Sequence, residues 1–331
     1  MLPSPAPDPP FNITRMSHVV LTVRDLDASL AFYTEVVGLV VSARDADGAW
    51  LRGLEEAAHH SLILRVSRGE PVCKRVGYRV RGEDDLDRAK EFFDRSGLPA
   101  AWSRHLYQRR ALHVSDHAGT PIELVAHMDT CPRLLTRFDL WRGGHAQRLD
   151  HVQIQVPDVP AAAGFYAALG FRISEYMAIG EELIGAFMFR KGDTQDVVFL
   201  PGAGPRLHHF AYTVQESRDL FAVCDAAGRA GMGDKVERGP GRHGPSAALF
   251  VYLRDPDGHR VELFCNHYQI IDTEIEPIRW DAKEQSLLLQ WGLPAQRRWF
   301  AEATNFASVA PIEPEHPGAW NTLEKYLAGP D

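Results

Sequence analysis

Three side chains of types that bind metal ions fall on three separate predicted strands. His151 lies in LDHVQIQV, Glu262 lies in HRVELF, and the intervening LHHFAYTV offers His208 or His209. Because side chains alternate between the two faces of a strand, the apolar neighbours favour His209, with His208 as the alternative. Two imidazoles and one carboxylate bind one face of a metal ion and leave positions open for substrates. This is the donor set of non-haem Fe(II) oxygenases, and Mn, Ni or Zn fits the same three groups.

The chain repeats its own pattern. The segment SHVVLTVRDLDASLAFYTEVVGLVVS (17–42) matches DHVQIQVPDVPAAAGFYAALGFRIS (150–174), and DHAGTPIELV (116–125) matches DPDGHRVELF (255–264). The repeating unit spans roughly 110 to 130 residues, which is a size that one domain can fill. The sequence therefore predicts a tandem duplication of one module.

The two copies differ at the middle ligand. His18 and Glu123 occupy the outer ligand positions of the first copy, but the middle strand KRVGYRV (74–80) carries Arg75 in place of a histidine. We therefore expect a metal site in the second copy, formed by His151, His209 and Glu262. In the first copy we expect a degenerate site.

The predicted fold class is α+β, with tandem βαβββ modules forming curved mixed sheets. Apolar periodicity predicts amphipathic helices within 82–99 and 215–232, at equivalent places in the two copies. The predicted divisions are a flexible tail (1–13), a first module with the degenerate site (14–129), a linker (130–146), a catalytic module with the metal site (147–269) and a C-terminal tail that packs on or closes the active site (270–331).

The composition and charge of the chain indicate a globular protein and exclude several kinds of partner. The hydrophobic content of 45% and the charged content of 24% are those of an ordinary globular protein. A net charge of −8 and the absence of a basic stripe argue against a nucleic-acid partner. The sequence contains neither a long apolar run nor a signal peptide, and its four cysteines have no paired spacing. We expect a cytoplasmic protein without a membrane partner.

Further polar residues lie near the predicted ligands. The Gly- and Pro-rich stretch ERGPGRHG (237–244) is predicted to be a loop that directs Arg238, Arg242 and His243 into the cavity. Tyr252 lies on the strand before the last turn, with a parity that allows it to face inward.

Taken together, these segments resemble the type I extradiol catechol dioxygenases of the vicinal-oxygen-chelate superfamily. The resemblance covers about residues 15–270 and is strongest to the homoprotocatechuate and catechol 2,3-dioxygenase branch. It rests on LDHVQIQVPDV, GPRLHHFAYTV, ERGPGRHG and YLRDPDGHRVELF. It implies Fe(II), with Mn(II) as the alternative, bound by His151, His209 and Glu262. It also implies a homotetramer that opens a catechol ring next to the diol with O₂, giving a yellow muconic semialdehyde-type product in aromatic catabolism.

The resemblance also implies roles for the surrounding residues. His243 and Tyr252 match positions that hydrogen-bond the substrate or the reacting oxygen, and Arg238 belongs to the same substrate-binding group. Gln153 stands where the branch often has Asn, and Phe187 stands where it has Trp.

Gln195 is the main departure from the family pattern. The family has an acid–base histidine about 14 residues before the middle ligand, but Gln cannot transfer a proton at neutral pH. Either Gln195 positions a reactant passively, or another group such as His243 handles protons, or the reaction has changed.

The C-terminal segment indicates the type of substrate. The homoprotocatechuate branch tends to carry Arg before WG, whereas KEQSLLLQWG (283–292) has Ser286 and three leucines. This favours a catechol with an apolar substituent. The alternatives are a metal-dependent isomerase or lyase on the same scaffold, which acts without O₂, and a module that only binds an aromatic ligand.

Overall fold

The first half of the chain forms an eight-stranded mixed sheet. The structure is a computed structural model that describes residues 1–272, 274–284 and 288–314. The strands are β1 (Ile13–Val23), β2 (Val40–Arg44), β3 (Gly48–Arg52), β4 (Leu62–Val66), β5 (Cys73–Val80), β6 (Ala100–Arg104), β7 (Arg110–Ser115) and β8 (Pro121–Val125). The helices are α1 (Leu26–Ala31), which continues as a π-helical turn (Phe32–Val37), and α2 (Glu83–Arg95).

The second half forms a larger sheet of eleven strands. They are β9 (Arg148–Val156), β10 (Arg172–Ile179), β11 (Glu182–Phe189), β12 (Val197–Pro201), β13 (Arg206–Thr213), β14 (Val236–His243), β15 (Leu249–Arg254), β16 (Arg260–Cys265), β17 (Ile278–Asp281), β18 (Leu289–Trp291) and β19 (Thr304–Asn305). The helices are α3 (Val159–Ala168), α4 (Ser217–Arg229) and α5 (Arg297–Ala301). Short 3₁₀ turns lie at Phe138–Leu140, Gly233–Lys235 and Pro245–Ala247.

The two sheets have the same strand order. The first runs β2-β3-β4-β1-β5-β8-β7-β6, and the second runs β10-β11-β12-β9-β13-β16-β15-β14, with β17, β18 and β19 added at its margins. Each half of each module has the order β-α-β-β-β. The predicted α+β fold of tandem βαβββ modules with curved mixed sheets is therefore confirmed.

The repeated sequence places the same residue types at the helix ends. The carboxylates of Asp25 and Asp158 accept a hydrogen bond from the backbone N–H three residues later, at 3.0 and 2.8 Å, and so cap α1 and α3. Gly38 and Gly170 follow the helical segments with φ of 89° and 82°, a backbone conformation that favours glycine. Each helix therefore begins and ends where the repeat requires.

The two modules share one apolar core, and two corresponding hydrogen bonds join them. Tyr33 Oη donates to Asp255 Oδ2 at 2.9 Å, and Tyr166 Oη donates to Asp116 Oδ2 at 3.3 Å. Each tyrosine belongs to the Phe-Tyr pair of one module, and each aspartate belongs to the last turn of the other. One apolar cluster includes buried residues from both sheets. The duplication therefore extends to the contact between the modules.

One sequence-based expectation is wrong, and others concern residues that the structure does not describe. Residues 237–244 were predicted to be a loop, but most of this segment belongs to β14, where Gly239 and Pro240 interrupt the pairing with β15 as a bulge. Ser286 and residues 315–331 of the predicted C-terminal tail lie outside the described residues. None of the described helices has the length and apolar character needed to cross a membrane.

Candidate active site

Strand register brings three potential ligands together on the second sheet. Ala211 of β13 lies opposite His151 of β9 on one side and opposite Glu262 of β16 on the other. His209 lies two residues before Ala211 and therefore faces the same side of the sheet. The three side chains converge because these three strands are direct neighbours.

Both imidazoles approach the same carboxylate oxygen. His151 Nε2 lies 3.4 Å and His209 Nε2 lies 3.2 Å from Glu262 Oε2, and all three side chains are buried. His208 takes a different position, because its Nε2 lies 2.8 Å from the backbone oxygen of Trp299. The geometry therefore favours His209 over His208 as the middle ligand.

A second carboxylate orients the first histidine. Asp150 Oδ2 lies 2.8 Å from His151 Nδ1, and Lys191 Nζ lies 3.3 Å from the other oxygen of Asp150. Burial disfavours the charged form of His151, but the carboxylates of Asp150 and Glu262 outweigh it and raise the pKa of His151 to about 9. A carboxylate on the outer nitrogen of a metal-binding histidine is a common arrangement that directs the other nitrogen to the ion.

The donor set fits a metal ion. Among the described residues, His209 Nε2 is buried without a hydrogen-bond partner, although it points toward Glu262 Oε2. Burial disfavours the charged form of His209 and lowers its pKa to about 4, despite the opposing influence of Glu262. Burial also opposes ionisation of Glu262, yet the surrounding imidazoles hold its pKa well below the usual range. Two imidazole nitrogens around one buried carboxylate oxygen, one of them without a hydrogen-bond partner, are a donor set that fits a divalent metal ion.

The three residues lie in the wall of a cavity of about 320 Å³. Six further residues that the sequence indicated for catalysis or substrate binding line the same cavity. These residues are Gln153, Phe187, Gln195, Arg238, His243 and Tyr252. Arg242 is different, because its guanidinium donates to the backbone oxygen of Ala247 and is not part of the cavity wall.

His243 and Tyr252 form a pair beside the candidate ligands. His243 Nε2 and Tyr252 Oη are joined by a hydrogen bond of 2.9 Å, and the same nitrogen lies 3.8 Å from Glu262 Oε1. Burial lowers the pKa of His243. Burial and the charge of Glu262 raise the pKa of Tyr252 well above its usual value, so the phenol keeps its proton.

Arg238 brings a positive charge to the cavity. Its guanidinium carbon lies 4.8 Å from the ring centre of Trp299 and 5.0 Å from that of Phe250. Within the described chain, its buried Nε has no hydrogen-bond partner. A cation held against aromatic rings can stabilise a negative charge that develops on a bound molecule.

Gln195 places an amide at the cavity wall. Its backbone oxygen accepts a hydrogen bond of 2.8 Å from Lys191 Nζ, which also contacts Asp150. The side-chain oxygen is buried, and no described residue donates a hydrogen bond to it. The amide is therefore available to a molecule in the cavity.

The C-terminal segment contributes one wall of the cavity, where the sequence indicated the leucines of 283–292 but not the residues beyond them. The residues of this wall are Leu288, Leu289, Pro294, Ala295, Trp299 and Phe300. Trp299 packs against Tyr252 with ring centres 4.3 Å apart. The abundance of tryptophan in this segment was the available signal, and it did not indicate which tryptophan would reach the cavity.

Comparison with known proteins places the chain in a family. The model of the Glyoxalase/Bleomycin resistance protein/Dioxygenase superfamily matches residues 15–124 and 148–263. A variant form of homoprotocatechuate 2,3-dioxygenase from Brevibacterium fuscum superposes with a TM-score of 0.90 at 34% identity, covering 95% of this chain and 90% of that one.

Two curated relatives align over most of their length. The manganese-dependent 2,3-dihydroxybiphenyl 1,2-dioxygenase of Geobacillus genomosp. 3 is 26% identical over 302 residues, which cover 86% of this chain and 95% of that protein. The metapyrocatechase of Geobacillus stearothermophilus is 26% identical over 295 residues, which cover 84% and 88%.

The chain therefore belongs to the Glyoxalase/Bleomycin resistance protein/Dioxygenase superfamily. Within that superfamily it is an enzyme of the extradiol ring-cleaving catechol dioxygenase type, as the resemblance implied.

Proposed function

We propose that this protein cleaves the ring of an apolar-substituted catechol with O₂, using Fe(II) held by His151, His209 and Glu262. One observation carries the proposal. Two imidazole nitrogens lie 3.4 and 3.2 Å from a single oxygen of Glu262, in the wall of a largely apolar cavity of about 320 Å³. Mn(II) is the alternative metal, because the relative from Geobacillus genomosp. 3 is manganese-dependent.

When bound, the metal ion would act as a Lewis acid and would bring the catechol and O₂ next to each other. Since the three protein ligands leave one side open, substrates can approach from the cavity. In the overall reaction, the ring bond next to the diol breaks and both oxygen atoms of O₂ enter the product. The balanced product of a catechol is a semialdehyde of the muconic type.

The proton released by the catechol requires an acceptor. Gln195 cannot take it, since an amide hydrogen-bonds without transferring protons at neutral pH. His243 is the imidazole of the described cavity wall that remains once the two ligand histidines are set aside. We assign the proton to His243, with Tyr252 orienting the imidazole through their hydrogen bond of 2.9 Å.

Gln195 and Arg238 orient the reactants. The unpartnered amide oxygen of Gln195 can accept a hydrogen bond from a catechol hydroxyl, while Arg238 offers its positive charge to oxygen atoms that become negative. Gln153, on the ligand strand β9, and Phe187, on β11, complete the substrate contacts.

The rest of the cavity wall suits an apolar ring substituent. Apolar side chains dominate it, and Arg238 is the one Arg or Lys among the described lining residues. The apolar wall includes Met177, Phe187, Val198, Leu200, Leu288 and Leu289. Because Arg238 is assigned to the reacting oxygen atoms, no other cation of the described wall is left for a carboxylate on the substituent, and the loss of its hydration there would be costly.

A panel of catechols tests this substrate class. We expect kcat/KM for an alkyl- or aryl-substituted catechol to exceed that for a carboxymethyl-substituted catechol by at least about tenfold, which corresponds to about 1.4 kcal/mol. Equal values, or a preference for the carboxylate, would refute the apolar assignment while leaving ring cleavage intact.

Three further features belong to the proposal. We propose that the catalytic module spans 147–269 and the first module 14–129, joined by the linker 130–146. We also propose that the protein is cytoplasmic, because its four cysteines form no disulfide. We further propose that it is a homotetramer. Light scattering during size-exclusion chromatography should then give about four times the chain mass of 37.0 kDa.

A further inference from the structure

The first module contains a second cluster of imidazoles around a carboxylate. Glu123 of β8 lies directly opposite His113 of β7, and His105 lies in the turn between β6 and β7. The sequence pattern did not single out His105 or His113, because it compared only the strands that carry the three ligands of the second module.

The three side chains present their donor atoms to one another at short range. His113 Nε2 lies 2.8 Å and His105 Nε2 lies 3.3 Å from Glu123 Oε2, and the two ring nitrogens are 3.0 Å apart. Ligand atoms about 2.1 Å from a shared tetrahedral ion are separated by about 3.4 Å. The cluster therefore has nearly the dimensions of a metal-bound set, as does the triad of the second module.

The carboxylate is held in the orientation that such a site needs. Glu123 Oε1 accepts a hydrogen bond of 2.9 Å from Gln108 Nε2 and lies 3.1 Å from His18 Nε2. Both nitrogens approach the same oxygen, so Oε2 is directed toward His105 and His113. Outer contacts of this kind orient a ligand before the ion binds.

Hydrogen bonding alone does not satisfy the cluster. His113 Nε2 lies 3.0 Å from the donor Arg75 Nη1 and 2.8 Å from the acceptor Glu123 Oε2. A neutral ring nitrogen either donates or accepts, so it can serve only one of these neighbours. A cation bound by three lone pairs would satisfy His113 and Glu123 together, and it would take the place of Ser103 Oγ, which lies 2.9 Å from His105 Nε2.

Arg75 occupies the place beside Glu123 Oε2 that a metal ion would take. Its Nη1 lies 3.0 Å from Glu123 Oε2, and strand register places Arg75 where His209 stands in the second module. The guanidinium thus supplies positive charge while no ion is bound. Its side chain is 22% exposed, and it lines a cavity of about 370 Å³ into which it can withdraw.

We propose that the first module binds a second divalent transition-metal ion through His105 Nε2, His113 Nε2 and Glu123 Oε2. A borderline ion such as Zn²⁺ or Co²⁺ matches two imidazoles and one carboxylate. The side chains of His105 and His113 are 33% and 30% exposed, which gives the ion a route from solvent. This site is separate from the ring-cleaving centre and does not depend on the function proposed for it.

Metal counting on the full-length chain tests the proposal. Metal-free protein is dialysed against Zn²⁺, and bound zinc is measured by elemental analysis. We expect two ions per wild-type chain, one in His113→Ala, one in His105→Ala and one in Glu262→Ala. The control is His127→Ala, because His127 contacts Asp129 and belongs to none of the candidate metal clusters of the described residues, so both ions should remain.

Arg75→Gln provides a second readout that misfolding cannot imitate. Removing the competing guanidinium should tighten binding of Co²⁺ at the first module by about tenfold or more, because two like charges no longer contend for one carboxylate. One zinc per wild-type chain, unchanged in His113→Ala, would overturn the proposal. Loss of the second ion in His127→Ala, or weaker binding in Arg75→Gln, would also overturn it.

Discussion

The carboxylate of Asp150 lies 2.8 Å from Nδ1 of His151 and thereby directs the opposite ring nitrogen toward Glu262. The two residues are adjacent in the chain, and both are buried. Lys191 supports this arrangement, since its Nζ lies 3.3 Å from Asp150 and donates to the backbone oxygen of Asp150 at 2.7 Å. The candidate metal centre therefore includes a supporting layer that reaches from β9 to the loop before β12.

Asp150→Asn should weaken metal binding at the catalytic module. The amide removes the negative charge that orients His151, and loss of such an outer partner lowers metal affinity by about 10- to 100-fold. Competition with a chelator of known affinity measures the change. Asp158→Asn is the matched control, because Asn also caps helices well. Equal Fe(II) affinity in Asp150→Asn and the wild type would contradict the orienting role.

Glu262→Ala should abolish Fe(II) retention at the second module together with all ring cleavage. The carboxylate is the oxygen that both imidazoles approach, at 3.4 and 3.2 Å, so its removal leaves no anionic ligand. Elemental analysis after desalting and an oxygen electrode measure the two effects. The exposed Glu182 supplies the control, as Glu182→Ala. An active Glu262→Ala protein with its full complement of iron would show that the ligands are misassigned.

Gln195→His should be tolerated and should speed turnover of simple catechols. The cavity wall at this position already holds a polar side chain, and an imidazole adds the ability to transfer a proton. Proton transfer by a positioned side chain contributes about 10²- to 10⁴-fold where it is limiting. Steady-state kcat and KM at several pH values measure the gain. A large fall in kcat would instead show that the amide of Gln195 has a function of its own.

Glu237 should make folding stability depend on pH in the acid range. Burial opposes ionisation of Glu237, but hydrogen bonds from Arg260 and Arg254 outweigh it and lower its pKa from 4.5 to about 2. A carboxylate with a lowered folded-state pKa contributes stability above its unfolded pKa and loses it as the pH falls. This contribution is therefore full above pH 4.5 and disappears toward about pH 2.

Urea unfolding of the wild type and Glu237→Gln measures this contribution. Gln fills nearly the same volume and does not titrate, so the two free energies of unfolding should differ most at neutral pH and converge as the pH falls. A difference that stays constant across the acid range would rule out the ion pair as its source.

Much of the fold was accessible from the sequence because the chain repeats. The matched segments 17–42 and 150–174 predicted two modules, and the identical strand order of the two sheets confirms them. Local composition misled at residues 237–244, where Gly and Pro suggested a loop. There, pairing with β15 and β18 outweighs the local preference and keeps the segment in the sheet as a bulged strand.

The residues of the candidate site could be predicted from the sequence only where they lie on strands, because alternation along a strand shows which side chains share a face. Parity favoured His209 over His208, and the register of β9, β13 and β16 explains why the ligands converge. Trp299 was missed as a cavity residue because its approach depends on how the C-terminal segment folds back on the sheet. The cluster around Glu123 was missed because His105 lies in a turn, where neither parity nor the repeat predicts its direction.

The most direct test of ring cleavage is isotope labelling with ¹⁸O₂. The full-length protein is loaded with Fe(II) without oxygen, supplied with an alkyl-substituted catechol and then exposed to the labelled gas. We expect one O₂ consumed per catechol and a yellow ring-opened product whose mass shows both labelled atoms. Product formed without oxygen consumption, or an iron-loaded protein that leaves every catechol intact, would contradict the assignment and favour the isomerase or lyase alternative.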